Sequence, residues 1–302
     1  MIVSGIFAAL TTPYAHDGSV SLPDLKHNVH RYNQTDLAGY VALGSTGESV
    51  LLNRAEMDAI LITVKESAAS GKMLLAGSGA ESTAETIERA KRAAELGYDA
   101  ALVKTPYYYK PAYKPEVLVA HYRRVADESP IPVMLYSIPQ FTGIALGAAE
   151  VAALSEHPNI IGIKDSSGNV QGVGEIIGAT PAAFQVLVGS AATTYPSLMI
   201  GARGAILALA CALPEKCVAL FELVRQGHHE KARELQSVLL LASKLIVSEL
   251  GIAGVKRAMD QRGYRGGIPR LPLLPLHAEQ KKRLTDFLAT LEPAAVRAIS
   301  IN

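Results

Sequence analysis

The feature that most limits the fold of this chain is a series of short apolar runs that alternate with segments of helical spacing. Runs of about four to eight apolar residues are typical of strands buried on both faces, as in parallel sheets covered by helices. Eight such runs predict eight strands, at residues 5–10, 39–43, 73–77, 100–103, 132–136, 160–164, 184–189 and 204–209.

The segments between these runs begin and end like helices. Asn53 and Ser82 are each followed by a glutamate three residues later, which is typical of a capped helix start. Gly71 and Gly97 stand where helices are expected to end. Eight alternating strands and helices in a chain of ~250 residues or more indicate a (β/α)8 barrel. A doubly wound open sheet is the alternative, and it is disfavoured because no GxGxxG motif opens a helix after the first strand.

The part of the chain that follows the eighth strand and its helix also has helical spacing. We expect helices at residues 229–250, 252–263 and 278–291, with a proline-rich connector at 268–276. The predicted fold class is therefore α/β, a (β/α)8 TIM barrel with a helical C-terminal extension. The catalytic barrel is expected to span residues 1–227, and the extension, residues 228–302, is expected to pack on it.

Composition and charge exclude several classes of partner. The net charge is +1, whereas proteins that bind nucleic acid or anionic membranes usually carry a basic patch or excess. Residues 176–202 carry no charge, but prolines and glycines interrupt them, unlike a membrane-spanning helix of about 20 continuous apolar residues. Two cysteines and no charged signal-peptide start favour the cytoplasm. The histidines show no metal-ligand spacing, and no metal or other cofactor is expected.

Lys164 is the most informative single residue, because it ends a buried strand at the start of a polar loop. In a barrel of this class the active site lies at the C-terminal ends of the strands. Partial burial lowers the pKa of an ammonium and frees the amine to attack a carbonyl. Taken alone, this stretch favours the simpler interpretation, that Lys164 marks the point where its strand meets water. Lys104 is a competing lysine, since it too follows a buried strand.

Other residues with suitable chemistry follow neighbouring strands. Tyr136 ends the fifth predicted strand, and Tyr108 lies in a run of tyrosines after the fourth. Ser45 and Thr46, followed by Gly47, offer hydroxyls and backbone N–H groups that can hold a carboxylate. A lysine can form a Schiff base with a 2-oxo acid, and phenols can move the protons this requires. This coincidence favours an enzyme over a barrel that only binds a 2-oxo acid as a sensor.

Four motifs carry a resemblance to a known family: GSTGE at 44–48, TPYY at 105–108, LYSIP at 135–139 and IGIKDS at 161–166. With them the sequence resembles the dihydrodipicolinate synthase / N-acetylneuraminate lyase family of class I, pyruvate-dependent aldolases over nearly the whole chain. The resemblance implies that Lys164 forms the Schiff base with pyruvate and that Tyr136 places protons. It implies that Ser45 and Thr46 bind the carboxylate. It also implies a homotetramer of tight dimers, in which Tyr108 relays protons in a neighbouring subunit.

Further residues are expected near the substrate. The resemblance places the backbone carbonyl of Ile206 there, and Gly47, Ser166 and Gly189 lie at strand ends where a ligand can approach. Phe141 stands where dihydrodipicolinate synthases carry an arginine that binds a substrate carboxylate, and a phenyl ring cannot form that ion pair.

The substrate branch is predicted from this departure and from further similar segments. Residues 155–159, 186–191 and 251–256 resemble the 4-hydroxy-2-oxoglutarate aldolase branch, which the sequence favours. Phe141 also departs from that branch, where a small polar residue is expected. The alternative is 4-hydroxy-tetrahydrodipicolinate synthase, which condenses pyruvate with aspartate semialdehyde. In both cases the expected partners are pyruvate and an aldehyde or 2-oxo acid.

Overall fold

The computed structural model describes residues 1–297 and shows a closed barrel of eight parallel strands. Each strand pairs with the next along the chain, and the first pairs with the eighth. The predicted TIM barrel is confirmed, and every predicted strand end lies within two residues of the observed one. The strands are β1 (Gly5–Ala9), β2 (Gly39–Ala42), β3 (Met73–Gly77), β4 (Ala100–Lys104), β5 (Val133–Ser137), β6 (Ile160–Asp165), β7 (Gln185–Val188) and β8 (Gly204–Leu207).

Helices surround the barrel and form the C-terminal extension. No helix in residues 1–297 is both long and apolar enough to cross a membrane. A π-helix, Ser243–Glu249, joins the tenth and eleventh α-helices. The α-helices are α1 (Leu22–Tyr32), α2 (Arg54–Ser67), α3 (Thr83–Glu95), α4 (Pro115–Glu128), α5 (Pro139–Thr142), α6 (Ala148–Ser155), α7 (Val170–Ala179), α8 (Thr194–Met199), α9 (Pro214–Arg225), α10 (His229–Ala242), α11 (Gly251–Gln261) and α12 (Ala278–Arg297).

Side-chain alternation along the strands separates two apolar layers. Successive residues of a strand point to opposite faces, so one set fills the barrel and the other packs under the helices. The outer layer joins the sheet to the helices and contains most of the buried apolar residues. The inner layer is smaller and includes Phe7, Val41, Leu75, Leu102, Met134, Tyr136, Leu187 and Ile206. A residue at the C-terminal end of a strand whose side chain points inward therefore lies at the mouth of the barrel.

The pairing of β5 with β6 contains a one-residue irregularity. Val133 of β5 pairs with Ile160 of β6. The next residue of β5, Met134, pairs with Gly162, so Ile161 is an extra residue on β6. An extra residue of this kind shifts the alternation of every side chain that follows it.

This irregularity turns Lys164 into the barrel. Ile160 packs in the outer layer, so strict alternation would also turn Lys164, four residues later, toward the helices. Instead Ile163 packs in the outer layer, and Lys164 lies against Tyr136 of the inner layer. The orientation of Lys164 therefore depends on the extra residue at the start of β6.

Gly162, which follows the extra residue, lies in close contact with β7. A Cβ atom added to Gly162 would lie 2.2 Å from the carbonyl oxygen of Gln185 on β7. That distance is far below van der Waals contact, and both groups are backbone, so neither can move aside by rotating a side chain. Only glycine fits where the two strands approach so closely.

We expect Gly162→Ala to lower the free energy of unfolding by about 1–3 kcal/mol, because β6 must shift away from β7 to admit the methyl group. Urea unfolding followed by circular dichroism measures the change. Gly178→Ala in α7 is the matched control, since a Cβ there meets nothing within 4 Å and alanine favours the helix. Equal unfolding midpoints for wild type and Gly162→Ala would contradict this account of β6.

Candidate active site

Lys164 and Tyr136 lie side by side at the C-terminal mouth of the barrel. Each is 4% exposed, and the two residues are register partners on β6 and β5. The Nζ atom of Lys164 lies 4.3 Å from the centroid of the Tyr136 ring, within the range of a cation–π contact. The structure thus brings together the two residues that the sequence puts at the centre of the chemistry.

A hydroxyl from the loop after β2 extends this pair. The Oγ atom of Ser45 lies 3.4 Å from the phenol oxygen of Tyr136, and either group can donate. Ser45 opens a short 3-10 turn, Ser45–Gly47, in which Ser45 and Thr46 are half-buried. A hydrogen bond from the loop after β1 holds the turn in place: the Thr12 hydroxyl donates to the Gly47 carbonyl at 2.7 Å. A carbonyl compound bound at Lys164 would therefore meet the Tyr136 phenol, with the Ser45 hydroxyl next to it.

Ser166 and Gly189 complete the surroundings of Lys164. A Cβ atom at Gly189 would lie 1.8 Å from the Ser166 hydroxyl and 3.0 Å from Cε of Lys164. The Gly189 N–H donates to the Asp165 carbonyl at 2.7 Å, which fixes this backbone against the end of β6. The Gln140 side chain donates to the Ser166 carbonyl at 3.0 Å. The glycine therefore leaves the space that the lysine side chain needs.

The structure does not bring all predicted site residues to Lys164 within one chain. Tyr108 and Phe141 are 73% and 65% exposed on the rim. The ring of Tyr108 packs edge-to-face on Tyr109, with 5.0 Å between ring centroids. Ile206 is fully buried in the inner layer on β8, one residue before the end of the strand.

Lys104 is the neighbouring lysine, and its environment differs from that of Lys164. Lys104 is the register partner of Tyr136 on β4, but its Nζ atom lies over the ring of Tyr107, 4.9 Å from the centroid. Burial lowers the pKa of Lys104, and the nearby Glu81 carboxylate opposes that shift. The amine of Lys104 thus faces a rim tyrosine, whereas that of Lys164 faces Tyr136.

Sequence reasoning gave no role to a buried ion pair behind the Ser45 turn. Glu48 follows the turn directly, and its carboxylate is paired with Lys256 of α11. The only sequence signal is a lysine among the apolar residues of α11, where Val255, Ala258 and Met259 are all buried. Among the residues that the structure describes, no three His, Cys, Asp or Glu side chains are grouped as metal ligands.

Comparison with known proteins identifies the family. The model of the dihydrodipicolinate synthetase family matches residues 2–291. The chain belongs to this family. The 4-hydroxy-tetrahydrodipicolinate synthase of Exiguobacterium sp. is 35% identical over 94% of this chain and 97% of its own. The resemblance predicted from the four motifs is thereby confirmed, and the chain is a carbon–carbon lyase of the class I aldolase type.

Solved structures of the dihydrodipicolinate synthetase family have the same architecture. The 4-hydroxy-tetrahydrodipicolinate synthase of Methylacidiphilum fumariolicum shares 29% identity over 98% of each chain, with a TM-score of 0.93. The dihydrodipicolinate synthase of Acinetobacter baumannii, solved with pyruvate, shares 31% identity over 95% of this chain and 98% of its own, with a TM-score of 0.90. The names of these relatives favour the synthase alternative over the predicted 4-hydroxy-2-oxoglutarate aldolase branch.

We expect Gly189→Ala to reduce catalytic turnover by about tenfold or more, because the methyl group would displace Ser166 and press on the side chain of Lys164. Steady-state kinetics with pyruvate measures the loss. Gly189→Ala combined with Ser166→Gly should recover part of it, since the second change removes the nearest clashing atoms. Wild-type turnover of Gly189→Ala alone would show that the space beside the Lys164 side chain is not needed.

Proposed function

We propose that the protein forms a Schiff base between Lys164 and pyruvate and condenses it with aspartate semialdehyde to make 4-hydroxy-tetrahydrodipicolinate. The observation that supports Schiff-base formation with pyruvate is the contact of the buried Lys164 amine with the Tyr136 ring, at 4.3 Å. The choice of aspartate semialdehyde as the second substrate is supported by the named synthases, which are 35–36% identical over nearly the full chain.

In the proposed reaction the Lys164 amine attacks C2 of pyruvate and forms a carbinolamine. Tyr136 then moves a proton to the leaving hydroxyl, so that water departs and the Schiff base forms. The protonated imine withdraws electrons from C3, which loses a proton to give an enamine. The enamine attacks the aldehyde carbon, the aldehyde oxygen takes up a proton, and the new carbon–carbon bond forms. The amino group of the second substrate then displaces Lys164 and closes the ring.

Neighbouring residues would bind and orient the substrates. Ser45, Thr46 and Gly47 are proposed to hold the pyruvate carboxylate, and Ser45 can pass protons to Tyr136 across 3.4 Å. Ser166 and Gly189 would border the imine, and the Ile206 carbonyl would face the substrate.

Assembly is part of the proposal because Tyr108 has no place beside Lys164 in its own chain. With 73% of its surface exposed, Tyr108 is available to a second copy. We propose that it relays protons in the neighbouring subunit of a homotetramer.

Cleavage of 4-hydroxy-2-oxoglutarate is the second candidate, because residues 155–159, 186–191 and 251–256 resemble that aldolase branch. The exposed phenyl ring on α5 offers no charge to the carboxylate of aspartate semialdehyde. It likewise offers no charge to glyoxylate, the aldehyde released by this cleavage, which also carries a carboxylate, so Phe141 does not separate the two candidates.

We expect Lys164→Ala to lower both condensation and cleavage by at least about 10³-fold, because the nucleophile is lost. Tyr136→Phe should lower both by about 10²–10⁴-fold. Pyruvate consumption with aspartate semialdehyde and pyruvate release from 4-hydroxy-2-oxoglutarate measure the two reactions. Lys104→Met is the matched control and should retain most of the activity. Wild-type turnover of Lys164→Ala on both substrates would refute the proposed mechanism.

Phe141→Arg should raise the ratio of condensation to cleavage about tenfold or more, because it restores the arginine with which dihydrodipicolinate synthases bind the carboxylate of their second substrate. Phe141→Leu is the control for the loss of the ring. The ratio of the two kcat/KM values decides the matter: an unchanged ratio would remove Phe141 from the account of substrate choice.

A further inference from the structure

The turn that contains Ser45 and Thr46 lies between two residues with an unusual backbone. Leu43 and Glu48 have φ angles of 57° and 55°, the left-handed region that favours glycine. For other residues this conformation costs roughly 1–2 kcal/mol, and it persists where the surroundings over-determine it. At Leu43 the neighbouring strand makes room, since a Cβ atom at Gly77 would lie 2.1 Å from the Leu43 carbonyl oxygen.

At the other end of the turn, Glu48 is held through its side chain. The Glu48 carboxylate is buried and has two partners, both from the C-terminal extension. The Nζ atom of Lys256 lies 2.5 Å from one oxygen, and the exposed fractions of the two side chains are 1% and 0%. The backbone N–H of Arg270 donates to the other oxygen at 2.8 Å.

Lys256 has two contacts besides Glu48. Its ammonium also donates to the Ile268 carbonyl at 2.7 Å and lies 4.5 Å from the centroid of the Tyr14 ring. Burial lowers the pKa of Lys256 to about 8, and the Glu48 carboxylate opposes this shift. These contacts hold the ammonium at the point where it pairs with the Glu48 carboxylate.

Arg270 ties the same region to the start of α2. Its guanidinium donates to both carboxylate oxygens of Glu56, at 2.6 and 2.8 Å, and to the Leu51 carbonyl at 2.9 Å. Glu56 is part of the capping box of α2 with Asn53. The C-terminal segment therefore contacts the chain at Glu48, at Leu51 and at the first turn of α2.

A buried ion pair of this kind is weak evidence for stability, because desolvation of both charges can exceed their attraction. Its geometric effect is clearer. The Glu48 N–H donates to the Ser45 carbonyl at 3.1 Å and closes the turn, so a change in the Glu48 backbone changes the position of the Ser45 hydroxyl.

We propose that Glu48 and Lys256, with Arg270, are positioning residues that hold the Ser45–Gly47 turn in the shape that binds the 2-oxo acid carboxylate. This rests on the proposed function of Lys164 and of the turn. The C-terminal extension thereby acts on the carboxylate site through its contacts with Glu48.

The test compares pyruvate with methyl pyruvate, in which an uncharged ester replaces the carboxylate. Borohydride reduction traps the Schiff base, and peptide mass spectrometry measures the adduct on Lys164 at increasing ligand concentration. Glu48→Gln and Lys256→Met should raise the half-saturating pyruvate concentration at least about tenfold. Maximal adduct, and the half-saturating concentration of methyl pyruvate, should stay within about twofold of wild type.

Controls separate positioning from a general loss of structure. Lys282→Met removes an exposed lysine that pairs with Asp286 on α12, and it should leave both ligands unaffected. The double variant of Glu48 and Lys256 should bind pyruvate no more weakly than the worse single variant. If the two residues act only through their interaction, either single substitution already removes it, and the second has nothing left to remove. If Lys256→Met fails to fold, Glu48→Gln, which keeps the side-chain volume, still decides the question.

Two results would overturn the proposal. Equal shifts for pyruvate and methyl pyruvate would show a general disturbance of the site, and no shift for folded Glu48→Gln would show that the pair does not position the turn. Failure of the proposed function is recognised separately. In that case wild type itself would give no Lys164 adduct with pyruvate at any concentration, and both proposals would fall together.

Discussion

The register between β5 and β6 is the constraint on which the rest of the site depends. One extra residue at Ile161 reverses the alternation of β6 and turns Lys164 from the helical layer into the barrel. The same shift sets Lys164 opposite Tyr136, so a single local feature provides both the burial of the amine and its aromatic neighbour. Next to this register shift, Gly162 allows the close approach of β7 to β6.

Around this pair, the loops at the mouth of the barrel are held by contacts with residues that are distant in sequence. The Ser45 turn rests on Thr12 of the loop after β1, and Glu48 joins it to α11. The buried charges of Glu48 and Lys256 compensate each other, and the left-handed backbone at Glu48 is maintained where the chain alone would avoid it. Residues from both the N-terminal and the C-terminal parts of the chain therefore contact the Ser45 turn or Glu48 beside it.

The sequence was sufficient for the barrel, because apolar runs of strand length can be read locally, and the strand-end rule of the fold then makes Lys164 and Tyr136 candidates for the site. The orientation of Lys164 could not be predicted, since a run of apolar residues such as 160–163 has no alternation that would reveal an extra residue. The partnership of Glu48 with Lys256 was equally inaccessible, because it joins segments far apart in the chain. The different surroundings of Lys164 and Lys104 were likewise visible only in the structure, which shows the ring that each amine faces.

The most direct measurement locates the covalent bond itself. The protein is incubated with pyruvate and borohydride, digested, and sequenced by tandem mass spectrometry to find which lysine carries the reduced adduct. The account predicts a single adduct on Lys164, abolished by Lys164→Arg and unaffected by Lys104→Met. An adduct on Lys104, or none on any lysine at saturating pyruvate, would contradict the central claim that the β5–β6 register delivers the catalytic amine.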